Sequence, residues 1–186
     1  MNIKEAIYTR RSVREFTDQP VDKATVQELI QAAVQAPSAV NHQPWAFVVI
    51  QDKSLLRSYS DRAKALLAKS VDIKLIALEL KETLADREFN IFYNAGTLIV
   101  ICAKPIGQHP DWDCCLAAQN LMLAAHGLGL GTCPIGFAWP LMAQPDVKEY
   151  LKIAPEYQPI LPIVVGYPST AAPTVPRSAP EILYWK

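Results

Sequence analysis

The chain has 186 residues, 51% hydrophobic and 19% charged, with 18 basic and 18 acidic side chains and no formal net charge. That length predicts one domain, which buries roughly 70% of its unfolded surface. The composition excludes a disordered chain, and the charge balance argues against the broad basic surface of a nucleic-acid binder. No segment reaches the run of about 18 apolar residues that spans a bilayer, and "MNIKEAIYTRRSV" lacks the apolar core of a signal peptide. The cysteines are Cys102, Cys114, Cys115 and Cys133. None form a C-x-x-C pair and two are adjacent, so they read as buried free thiols, with a reducing cytoplasm as the expected location.

In chain order, "NIKEAIYTR" predicts a short helix with Ile3 and Ile7 on one face. "RRSVR" follows at residues 10–14. "PVDKATVQELIQAAVQAP" is a second helix, capped by Asp22 and stopped by Pro37. Trp45 to Asp52 is a buried strand by its β-branched run. Residues 53–90 are mostly helical and the most charged part of the chain, an excursion long enough to form a lid. Thr97 to Lys104 is a second buried strand. "DWDCCLAAQNLMLAAHGLGLG" is a helix with an aspartate cap and a glycine-rich end. It is apolar on almost every side from Cys114 to Ala125, which makes it central or an interface helix. "GTCPIGFAWP" is a loop or short strand, "QPDVKEYLKI" a short surface helix, and Ile160 to Tyr167 a third buried strand. The proline-rich tail ends in "EILYW", an apolar segment expected to add a strand or wrap a partner. Strands separated by irregular helical insertions predict an α+β fold.

No phosphate or dinucleotide fingerprint is present. "GLGLG" follows a helix rather than a strand, and neither G-x-S-x-G nor metal-ligand histidine spacing occurs. "RRSVR" is either a solvated turn or a small-anion site. Arginine offers a planar fork of donors and serine a short hydroxyl. In an extended segment Arg10, Ser12 and Arg14 point one way while Arg11 and Val13 point the other. A second polar stretch, "APSAVNHQPWAFVVI", places Pro37, Ser38, Asn41 and Gln43 between helix and strand. Its hydroxyl and amide groups both donate and accept. In "GTCPIGF" the glycines let backbone N–H groups approach a flat ring. Arg177 in "TVPRSAP" is a lone cation in the tail.

"RRSVREF", "APSAVNHQPWAFVVI", "AAQNLMLAAHGLGLGTCPIGF", "LPIVVGYP" and "PRSAPE" occur in the order seen in the FMN-dependent nitroreductase family, and the chain resembles that family from about Ile3 to Glu181. The resemblance implies a central, mainly antiparallel sheet flanked by helices, within an intertwined homodimer that exchanges its C-terminal strands. It implies FMN as cofactor at the dimer interface and hydride transfer from NAD(P)H through the flavin to nitroaromatics, quinones or similar acceptors. Ring saturation, dehalogenation and non-catalytic FMN binding are the alternatives. By position, Arg10, Arg11 and Ser12 correspond to the phosphate side and Arg14 to the pyrimidine edge. Pro37, Ser38, Ala39 and Asn41 correspond to a loop from the other subunit. Pro134, Ile135 and Gly136 correspond to the loop facing flavin N5, and Arg177 to the tail cation on the phosphate. "PIGF" is one residue shorter than in many members, so either Ile135 or Gly136 supplies the N–H. Asn90 or Asn94 stands where members place an asparagine.

Overall fold

The computed structural model describes residues 1–69 and 78–186; the part of the predicted helical excursion at 70–77 lies outside the described residues. Among the described residues four strands form one sheet: β1 (Trp45–Ile50), β2 (Thr97–Ala103), β3 (Gly131–Pro134) and β4 (Gln158–Gly166). Their order is β1-β2-β4-β3, and every pair is antiparallel. The three apolar runs expected as strands are strands, within one or two residues. The region left between loop and strand forms β3, an edge strand four residues long. Pro162 in β4 is tolerated because β3 pairs only as far as Pro134 opposite Ile163, so no ladder donor is demanded at Pro162.

The sheet separates two apolar layers. Alternate residues of β2 point to opposite faces, as strand geometry requires. Leu98, Val100 and Cys102 pack with α3 (Lys53–Lys69) and α6 (Trp139–Met142). Ile99, Ile101 and Ala103 pack with α2 (Lys23–Ala33) and α5 (Pro110–Gly127). All seven β2 residues are buried, which is why the segment reads as a continuous hydrophobic run rather than an alternating one. Asp22 caps α2 by accepting from Thr25 N–H at 2.8 Å. The remaining helices are α1 (Ile3–Thr9), α4 (Leu78–Ala85) and α7 (Pro145–Tyr150). Residues 53–69 of the excursion are thus seated in the core through Leu56, Tyr59 and Ala63 on α3.

Two expectations change. The cap of α5 is His109, with Pro110 at the first helical position, so the helix starts before the aspartate expected to cap it. Proline is pre-organised for that position, having no N–H to leave unbonded. The Ile3/Ile7 face of α1 stays exposed, at 69% and 52%, while Ala6 is the residue that α1 buries. Trp112, Cys115 and Leu116 of α5 are exposed too, as is the tail from Ile182 to Trp185. α5 is therefore apolar on two sides, one packed on the sheet and one open. Among the described residues no helix is long and apolar enough to cross a membrane.

Candidate functional site

The segment Arg10–Thr17 leaves the end of α1 in extended conformation and runs along the outer edge of the sheet. Ser12 pairs in parallel with Thr132 of β3, and Val13 N–H donates to the Thr132 carbonyl at 3.0 Å. Farther on, Phe16 pairs with Pro168, and Thr17 N–H donates to the Tyr167 carbonyl at 2.8 Å. Two glycines make room for this strap. A Cβ on Gly131 would lie 2.7 Å from Val13, and one on Gly166 would lie 2.8 Å from Phe16. Gly131 thus seats the strap, a different use from the ring approach read from the sequence.

The strap fixes the direction of each side chain. Arg10, Ser12 and Arg14 lie on the side of Cys133. Burial pushes the Cys133 thiol up, and Arg14, a hydrogen bond from Ser12 and Arg10 each oppose that push. Val13 packs against Gly131, and Val13 and Arg11 both border the cavity that Arg10 lines. Arg11 Nη1 donates to the carbonyls of Tyr8 and Arg10, at 2.8 and 2.7 Å, closing the C-terminus of α1. Its Nε is buried with no hydrogen-bond partner among the described residues.

Positive charge accumulates here without compensation. Burial first, then Arg177 and then Arg11, lowers the Arg10 pKa from its ordinary value. Of the ion pairs among the described residues, none involves Arg10, Arg11, Arg14 or Arg177. Like charges gathered without an ion-pair partner are unfavourable unless an anion joins them. Arg10 and Arg11 line a cavity of about 360 Å³ with His126 at the end of α5 and Thr170 at the start of the tail. A larger cavity of about 820 Å³ lies beside α7, away from the arginines. Its Lys148 ammonium is bound to the Pro155 carbonyl.

Arg14 extends beyond the cavity, exposed, with its guanidinium 5.9 Å from the Tyr93 ring centroid. Tyr93 meets Phe89, from the end of the charged excursion, edge to face at 5.8 Å. Tyr93 and Asn94 both hold positive φ, 54° and 56°, a conformation that costs non-glycine residues energy. Asn90 is buried and used locally: its Oδ1 accepts from Phe92 N–H, and its Nδ2 donates to Asn94 Oδ1. Of the two asparagines, Asn94 is the exposed one, next in the chain to Tyr93.

β3 ends at Pro134 and the chain turns. Ile135 N–H donates to the Pro162 carbonyl at 2.8 Å, so that donor belongs to the sheet. Gly136 opens a single 3-10 turn, Gly136–Ala138, and a Cβ there would meet nothing within 4 Å. Gly136 is the position of this loop with open space before it.

The stretch from Pro37 to Asn41 lies elsewhere. Ala39 N–H points at the Asp113 carboxylate, 3.2 Å from its nearer oxygen, in the first turn of α5. Ser38 Oγ accepts from Gln43 N–H at 3.0 Å, and Gln43 Nε2 donates to Asn41 Oδ1 at 3.2 Å. Val40, Asn41 and Gln43 all hold positive φ, and Val40 is 90% exposed. Asp113 and His126 stand at opposite ends of α5, about 20 Å apart at 1.5 Å per residue. Within one chain, then, the strap lies beside the His126 end of α5, with Arg177 near Arg10, and Ala39 sits at the Asp113 end with its neighbours Pro37, Ser38 and Asn41. Tyr93 and His126 join the first group without any signal in the sequence beyond their proximity to β2 and to the glycine-rich helix end. Among the described residues no cluster of three metal-ligating side chains occurs.

Residues 7–167 match the model of the nitroreductase family. A protein of Archaeoglobus fulgidus, provisionally assigned as an NADH dehydrogenase/NAD(P)H nitroreductase, is 32% identical over 87% of this chain and 83% of its own. The crystal structure of a nitroreductase with bound FMN from Desulfitobacterium hafniense DCB-2 superposes with a TM-score of 0.81, at 26% identity, covering 100% of both chains. The iodotyrosine deiodinase of Thermotoga neapolitana is 27% identical over 94% of this chain and 93% of its own.

Proposed function

This chain belongs to the nitroreductase family, and from that premise we propose that it is an FMN-dependent NAD(P)H oxidoreductase acting on nitroaromatic, quinone or similar electron-poor acceptors. The observation that carries the reading is the uncompensated arginine group beside an open cavity. The residues present fit a flavin mononucleotide. The buried, partnerless Nε of Arg11 and the unpaired Arg10 guanidinium fit a phosphate, and the open space at Gly136 fits the approach of a flat ring.

Arg10 and Ser12 bind the phosphate, with Arg11 presenting Nε and Arg177 closing the group from the tail. Arg14 holds positive charge at the pyrimidine edge, where it stabilises negative charge that develops on reduction. The Gly136 N–H orients the reacting edge, because Ile135 N–H is already used by Pro162. Pro134 and Ile135 fix that turn to the sheet. Bound FMN would supply two-electron chemistry, serving as hydride acceptor toward NAD(P)H and hydride donor toward the electron-poor acceptor. No side chain need act as nucleophile.

Pro37, Ser38, Ala39 and Asn41 of the partner subunit complete the site. The length of α5, the open apolar faces of α1 and α5, and the exposed Ile182–Trp185 tail support an intertwined homodimer with tail exchange. The chain works as one domain over residues 1–186, and Phe89, at the end of the excursion, borders the acceptor space through the Phe89–Tyr93–Arg14 contacts. Four unpaired cysteines support a reducing, cytoplasmic setting.

The deiodinase relative favours dehalogenation as a second reading. Steady-state oxidation of NADH and NADPH, with a quinone, a nitroaromatic and a halotyrosine as acceptors, separates the two. Turnover with the first two and none with the third supports the proposal. Turnover confined to the halotyrosine replaces it, and a colourless protein that takes up no added FMN overturns both.

A further inference from the structure

His126 is not among the residues assigned above, yet it lines the same cavity as Arg10 and Arg11. Its hydrogen bonding fixes its tautomer. Thr9 Oγ1 lies 2.7 Å from the Glu5 carbonyl and 2.7 Å from His126 Nε2. A hydroxyl has one proton, and a carbonyl oxygen can only accept, so that proton goes to Glu5. The contact with His126 then requires Nε2 to be the donor. In the neutral ring the proton sits on Nε2, and any second proton must go to Nδ1.

We propose that His126 is a proton-linked member of the phosphate pocket, so that binding a phosphate monoester beside Arg10 and Arg11 is accompanied by uptake of a proton at His126 Nδ1. The inference rests on the FMN reading above. The charged groups around the imidazole come from three elements. The strap brings Arg10 and Arg11, α1 brings Glu5, and the tail brings Arg177 against Arg10. From α5 itself come the C-terminal carbonyls, which favour a cation in the last turn. Met1 and Thr170 also line the cavity. Burial first, then Arg10 and Arg11, holds His126 below its ordinary value; Glu5 opposes them. With no anion bound the surroundings therefore favour the neutral imidazole. A phosphate between the arginines reverses the local sign, because an opposite charge favours the protonated ring. Protonation then adds a cation to the pocket only when an anion is there to use it.

The test starts from the flavin-loaded protein. FMN release on dilution is read by flavin fluorescence from about pH 6 to 8, the range in which an imidazole titrates, for wild type and for His126→Gln. FMN has its own second ionisation near pH 6, but it is common to both proteins and cancels in the ratio of their dissociation constants. The ratio of variant to wild-type dissociation constant should accordingly grow about three- to tenfold as pH falls across that range. Calorimetry of wild type in two buffers of different ionisation enthalpy, run at about pH 7.5 where the FMN phosphate is already a dianion, gives the proton uptake at the protein directly, without relying on the variant's folding. Uptake with FMN and none with riboflavin is expected. A ratio independent of pH, or no excess uptake with FMN over riboflavin, overturns the role of His126. Failure to bind FMN at any pH overturns the flavin reading itself, and the two failures are distinct.

Discussion

Gly131→Ala isolates the role of the strap. The added Cβ would sit 2.7 Å from Val13 Cβ and Cγ2 and 2.8 Å from Cγ1. Ordinary carbon contacts lie at about 3.5–4.0 Å, so each pair overlaps by roughly an ångström. Val13 cannot rotate out of the way: it is β-branched, 8% exposed and tied through its N–H to Thr132. The strap itself must lift. Overpacking of this kind costs about 1–3 kcal/mol, and the lower entropy of the unfolded alanine chain returns about 0.4–1 kcal/mol. A net loss of about 1–2 kcal/mol lowers Tm by roughly 2–8 °C in a chain of this length. Because Arg10, Ser12 and Arg14 ride on the strap, FMN affinity should fall about tenfold, the equivalent of about 1.4 kcal/mol. Thermal denaturation at fixed protein concentration and a flavin fluorescence titration measure the two effects. Adding Val13→Ala removes two of the three close contacts and should restore part of both, whereas Val13→Gly removes all three. Gly136→Ala is the control: it meets nothing within 4 Å, so Tm should hold while flavin binding or reduction weakens. A Gly131→Ala protein with wild-type Tm and wild-type FMN affinity would refute the reasoning.

Arg10→Ala and Arg177→Ala should each weaken FMN about ten- to a hundredfold, the effect of losing a charge-assisted hydrogen bond of about 1.5–3 kcal/mol. Riboflavin affinity should stay unchanged, since only the phosphate is affected. Arg14→Ala should leave Tm unchanged, the side chain being exposed, but make the bound flavin harder to reduce, as read by spectroelectrochemistry and by stopped-flow reduction with NADH. If affinity, potential and turnover all stay the same, Arg14 has no electrostatic role. Asp52 tests the pH dependence of stability. Hydrogen bonds from the Ser54 hydroxyl, then from Leu55 N–H, hold its carboxyl below the ordinary 3.8. Its folded pKa is the lower one, so its stabilisation is complete above 3.8 and is lost as pH falls through the folded value. The Tm deficit of Asp52→Ala should thus be present at neutral pH and shrink in strong acid.

Much of this architecture is legible because buried strands leave an unambiguous mark. β1, β2 and β4 are β-branched runs, and burial of β2 on both faces removes any alternation that would have confused its reading. β3 is harder: four residues containing a glycine and a proline carry no strand signal, and its pairing comes from β4 and the strap. The alternation of Arg10, Ser12 and Arg14 is readable from the period of an extended chain alone. What Arg11 does is not, because its partners are α1 carbonyls presented by helix geometry. The start of α5 was readable from Pro110, the residue type that favours the first helical position. The distance between the two polar stretches is invisible in sequence, since it depends on α5 lying straight between them. Tyr93 and His126 gave no warning for the same reason: their partners, Arg14 and Thr9, are distant in the chain.

The placement of two half-sites at opposite ends of α5 has a genetic consequence. In the homodimer proposed above, each site draws its strap from one chain and its Pro37–Asn41 loop from the other. A chain disabled at Arg10 and a chain disabled in the loop would each be inactive alone. Co-expressed, they would form mixed dimers in which both defects fall in one site and the other site is intact. Two silent alleles would then restore activity together, up to half of the wild-type value per mixed dimer. No such rescue could occur between two alleles damaged in the same half.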